Sequence, residues 1–120
     1  MTSAEFERLV RKALEQLPEE IARALDNVDV VVEDLATREQ LVGSGIEEGT
    51  HLLGLYEGIP LTDRYGYNMV LPDKITLFQG AIEAICASDE EMVREIRDTV
   101  VHEVAHHFGI DDNRLDEMER

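Results

Sequence analysis

The string "VVHEVAHHFGIDD", residues 100–112, sets His102 and His106 four positions apart with Glu103 directly after the first. On a helix, positions i and i+4 share a face, so two imidazoles can converge on one zinc ion at about 2.1 Å. A carboxylate in Glu103's position reaches the water at a catalytic zinc's open site and can take its proton. "HEVAH" is therefore H-E-x-x-H with each role filled: His102 and His106 as metal ligands, Glu103 as general base. A zinc site of this kind needs a third protein ligand. Gly109 can adopt the left-handed conformation that ends a helix, and the chain can then turn back. Asp112, six residues after His106 and three after the glycine, is placed to return over the histidines. Asp111 beside it and Glu117 farther on are alternative carboxylates. His107 projects towards the apolar side, as a core-edge residue, and His51, remote in sequence, is expected on the surface.

The site depends on the helix that carries it. Ser88 and Glu91 form a capping-box pattern at its start. At 100° per residue, Val93, Ile96, Val100, Val101, Val104 and Phe108 fall on one side, which predicts a core stripe and a buried Phe108. Glu95, Thr99, His102 and His106 lie roughly opposite.

Upstream, Phe6, Leu9, Val10, Ala13, Leu14 and Leu17 recur at helical spacing, and Pro18 restarts a second helix, "PEEIARALDN". "VDVVVEDL" (28–35) alternates as a strand does, "THLLGLYEG" reads as a second strand and "KITLF" (74–78) as a third. "GSGIEEG" (43–49) and "IPLTDRYGYN" (59–68) read as loops, and a short helix is expected over 79–86. A tyrosine among Tyr56, Tyr65 and Tyr67 is more readily a packing residue than an oxyanion donor. Helices and strands in this order make a single α+β domain over residues 1–120.

Composition narrows the function. A net charge of -16 repels phosphate backbones and anionic bilayers, so neither nucleic acid nor membrane is an expected partner. Cys86 is the only cysteine, which excludes an intramolecular disulfide and a CxxC metal knuckle, and it reads as a small buried apolar residue. The opening "MTSAEFERLV" has no basic segment leading into an apolar run, so no secretory signal is expected and a cytoplasmic location follows by default.

"HEVAHHFGIDD" resembles the zincin metallopeptidases, whose signature H-E-x-x-H-x-x-G-x-x-H/D ends on the third ligand. His102, Glu103, His106, Gly109 and Asp112 match it position by position. With "LLGLYEGIPLTDR" and "LPDKITLF" upstream, the chain is similar to the minimal zincin-like family of small bacterial proteins. The resemblance implies a small mixed β-sheet packed on the active-site helix, with Zn2+ held by His102, His106 and Asp112. It also implies a zinc-dependent metallopeptidase hydrolysing peptide bonds, with Glu103 as base and a peptide or protein substrate in extended conformation. An exposed strand edge would hold that substrate, either 52–57 or 74–78. The metzincin methionine turn has no counterpart, since Met118 is too close to Asp112 to be assumed equivalent. The alternative is a catalytically weak or inactive zinc-binding module on the same scaffold, which displays a peptide or protein without cleaving it.

Overall fold

The computed structural model describes residues 1–43, 52–58 and 72–118, apart from the side chains of Asp112 and Met118. In chain order its elements are α1 (Ser3–Leu14), α2 (Glu19–Ala24), β1 (Val28–Glu33), α3 (Arg38–Gly43), β2 (Gly54–Glu57), β3 (Asp73–Phe78), α4 (Gln79–Ile85), α5 (Asp89–His107) and α6 (Asp112–Met118). The two loops expected at 43–49 and 59–68 lie outside the described residues except for Gly43, which ends α3; His51, Tyr65 and Tyr67 lie outside them as well.

The three strands form one sheet in the order β1-β3-β2, with β1 parallel and β2 antiparallel to β3. The sheet is mixed, as the family resemblance implied. Ile75, Thr76, Leu77 and Phe78 of the central β3 are all buried, and since successive residues alternate between faces, both faces of the strand are covered there. Its hydrogen-bonding edges are both occupied, which removes 74–78 as a free strand edge. Of the two candidates, β2 alone has an open side among the described residues.

α5 packs against α1 and the sheet, touching β2 more extensively than β3. Met92, Val93, Ile96, Val100, Val101, Val104 and Ala105 bury its inner face against Phe6, Leu9, Val10 and Ala13 of α1 and against Ile75 and Leu77. Ser88 caps α5, its Oγ accepting the Glu91 N–H at 3.2 Å. The reciprocal limb of the expected box reaches one residue farther, with the Ala87 N–H donating to Glu91 at 2.9 Å. A complete capping box, Thr2 with Glu5, starts α1 instead.

One part of the helical stripe does not hold. Phe108 is 51% exposed, not buried, because the helix ends before it. Phe108 is the C-cap, and the 100° periodicity stops there. Phe108→Ala is therefore expected to cost about 1–2 kcal/mol, well short of the roughly 3–5 kcal/mol of a buried phenylalanine. Urea denaturation measures the difference; a loss at the core value would put the ring inside.

Gly54 sets how close α5 comes to β2. A Cβ built there would lie 2.5 Å from Thr99 Cγ2 and 3.3 Å from the Thr76 carbonyl oxygen. Glycine inside a strand often marks such an approach of two elements. Gly54→Ala is expected to destabilise by about 1–3 kcal/mol through overpacking. Thr99→Ser, which removes the obstructing methyl, should recover part of that loss in a double-mutant cycle. No recovery would locate the clash elsewhere.

No helix among the described residues is long and apolar enough to cross a membrane.

Candidate metal centre

α5 ends in a Schellman motif, and this turn governs where the chain goes after the histidines. Gly109 has φ +69, the Ile110 N–H donates to the Ala105 carbonyl at 2.8 Å and the Gly109 N–H to the His106 carbonyl at 3.4 Å. The left-handed glycine expected from the sequence is present, and the chain reverses into α6. There the side chain of Asp111 accepts the Arg114 N–H at 2.8 Å, as an N-cap residue does. Leu115 buries into the core and Arg114 reaches Glu20 of α2 at 2.7 Å, so α6 is held at both a core and a surface point.

That arrangement separates the two neighbouring aspartates. One carboxylate oxygen of Asp111 caps α6. Asp112 is the first residue of α6, and its side chain lies outside the described residues. Among the described residues, no group of three His, Cys, Asp or Glu side chains forms a metal cluster.

His102 and His106 are both exposed, on the side of α5 away from the core. The ring nitrogen Nδ1 of His102 lies 2.7 Å from the Asp98 carbonyl oxygen. A carbonyl only accepts, so Nδ1 carries a proton, and Nε2 is the ring nitrogen left for a metal. A second hydrogen bond of this kind fixes tautomer and ring orientation in metal-bound histidines. The donor set therefore suits zinc: one imidazole with Nδ1 held by a carbonyl and Nε2 left for the ion, and a second imidazole one turn on.

Glu103 is half-buried and lies between two grooves. It lines one together with His102, Thr99, Asp98, Glu95 and Leu52, and the other together with His106, His107, Tyr56, Leu55 and Leu52. Its Oε1 accepts the main-chain N–H of Tyr56 at 2.9 Å. The β2–β3 register explains that contact. The Phe78 N–H donates to the Leu53 carbonyl at 2.9 Å, so Leu53, Leu55 and Glu57 turn their backbone groups towards β3. Gly54 and Tyr56 turn theirs outwards, towards Glu103.

Tyr56 is fixed by its side chain as well. Its hydroxyl donates to Asp73 at 2.7 Å, and its ring stacks on His107 with centroids 3.9 Å apart and planes inclined by 21°. Burial, followed by the hydrogen bond to the Asp73 carboxylate, pushes the phenol pKa up to about 12. The hydroxyl thus remains a donor throughout the neutral range. His107 is not at the core edge, as the helical wheel implied; it is exposed, stacked on Tyr56 and edge-on to Phe108 at 4.9 Å. The aromatic face of Tyr56 was legible as packing. Its main-chain role was not, because a contact made by a backbone N–H demands no particular side chain.

A sequence model of zincin-like metallopeptidases matches residues 25–120, which leaves out only α1 and α2 among the elements. The solved structure of a conserved hypothetical protein from Thermo thermophilus is similar over 90% of this chain and 94% of its own, at 25% identity and a TM-score of 0.58. No curated protein matches.

Proposed function

The chain belongs to the zincin-like metallopeptidase family, and on that premise we propose that it is a zinc-dependent peptidase with Glu103 as its general base. The observation that carries the proposal is the placement of Glu103. It stands between the His102 and His106 grooves, against the outward edge of β2, where a substrate backbone would lie.

His102, His106 and Asp112 are the residues that would hold zinc. When bound, the ion supplies the positive charge that polarises a peptide carbonyl and makes water acidic enough to attack near neutral pH. The remaining work falls to the protein. The outward backbone groups of Gly54 and the outward carbonyl of Tyr56 bind an extended peptide by strand addition, which reads the main chain and leaves side chains little constrained. Glu103 takes a proton from the attacking water and returns it to the departing amine nitrogen. The Asp98 carbonyl keeps the His102 ring in its ligating tautomer while this happens. A cytoplasmic setting is part of the same proposal.

The test is incubation of zinc-loaded protein with a diverse peptide mixture, reading new termini by mass spectrometry. Cleavage that disappears on chelation and returns with zinc is expected. Zinc bound without a single new terminus would leave the binding-module alternative in its place.

A further inference from the structure

We infer that Tyr56 is a positioning residue for Glu103, its main-chain N–H holding one carboxylate oxygen so that the other is aimed for proton transfer. The inference rests on the peptidase reading above for its consequence, but on geometry for its substance. A glutamate side chain has three rotatable bonds, and an exposed one samples many rotamers. Here Oε1 is held at 2.9 Å by a donor that is itself immobilised. β2 is a strand of four residues, and Tyr56 fixes it at three places. The ladder places its backbone opposite Ile75, its hydroxyl is tied to Asp73 on the central strand, and its ring lies against His107 at the end of α5. One residue therefore links the open strand edge, the central strand and the helix that carries the histidines.

This assigns different work to the two outward positions of β2. Tyr56 gives its N–H to the enzyme's own base, while Gly54 and the Tyr56 carbonyl remain for a peptide main chain. A base oriented by the strand that binds the substrate keeps its distance from the scissile bond when that strand shifts. The supports are indirect for Glu103, so loosening them should change the chemical step more than binding. Misplacement of a reacting group by about 1 Å can cost as much as 10²-fold.

The experiment has two arms. In zinc-loaded protein, amide hydrogen exchange is followed residue by residue by NMR in the wild type and in Glu103→Ala. The Tyr56 amide is expected to exchange about 10-fold faster in the variant, while the β3-bonded amides of Leu55 and Glu57 do not change. Glu103→Gln should keep the protection, because its side-chain oxygen still accepts. Equal Tyr56 exchange in wild type and Glu103→Ala would overturn the inference. The second arm replaces residue 56 by the α-hydroxy analogue of tyrosine, which removes the outward N–H, keeps the side chain, and weakens but retains the Leu55 carbonyl as an acceptor in the ladder to β3. Expected are a fall in kcat of about 10-fold, KM within about 2-fold and unchanged zinc content. Tyr56→Phe, which releases Asp73 but keeps ring and amide, should show a smaller loss of the same kind. A rise in KM with kcat intact would mean that the N–H serves the substrate, and would overturn the assignment. Wild-type protein that cleaves no peptide would refute the peptidase reading, and the exchange arm would then decide the positioning role on its own.

Discussion

Glu103→Gln should retain zinc and lose turnover by roughly 10²–10⁴-fold, the range in which a positioned general base contributes. The substitution preserves shape, and its side-chain oxygen can still accept the Tyr56 N–H that Glu103 accepts at 2.9 Å. What disappears is basicity: a carboxamide cannot take a proton from water near neutral pH. Zinc content should remain that of the wild type, because the proposed ligands are His102, His106 and Asp112. Zinc content and peptide cleavage are therefore measured on the same preparation. Zinc retained with cleavage abolished is the expected pair. Loss of zinc would make Glu103 a ligand, and unchanged cleavage would require a different base or a contaminating protease. Either result would remove Glu103 from the role proposed for it.

The second large effect separates two adjacent aspartates. Asp112→Ala is expected to weaken zinc binding by more than about 100-fold, beyond the roughly 10–100-fold that losing an outer-shell partner costs. Asp111→Ala removes a helix cap, since its carboxylate accepts the Arg114 N–H at 2.8 Å. That loss should cost about 1 kcal/mol of stability and leave zinc affinity within about 10-fold. Competition titration against a chelating dye gives both affinities, and equal effects would refute the choice of Asp112. The apoprotein should remain folded in each case, with an unchanged far-ultraviolet circular dichroism spectrum. Phe6, Ile21, Ile75, Ile96, Val100 and Val104 are fully buried without any help from the metal face of α5. Collapse of the fold on chelation would instead make the metal structural, as in sites where zinc binding supplies the folding free energy.

Much of this molecule was readable from local signals. Ser88 caps α5 and Gly109 ends it, because capping and left-handed termination depend on one side chain and one φ angle. Val93, Ile96, Val100 and Val104 bury as the helical period requires, and the period also sets His102 and His106 away from them. "VDVVVEDL" and "THLLGLYEG" each contain a strand and "KITLF" lies within one, since strand signals are carried by short runs of consecutive residues. Phe108 marks where that reasoning ends. A periodic pattern can be extended indefinitely on paper, but the helix stops at its cap, and the ring turns out to solvent beside Tyr56 and His107. The order β1-β3-β2 belongs to the tertiary structure, because three similar hydrophobic segments do not state which of them is central. That order leaves β2, among the described residues, with an open side next to α5. The link from Tyr56 to Glu103 spans 47 residues and uses a backbone N–H, a group every non-proline residue possesses. No residue type is needed to make it, so it leaves no mark in the sequence; the strand register alone decides that this N–H points at this carboxylate.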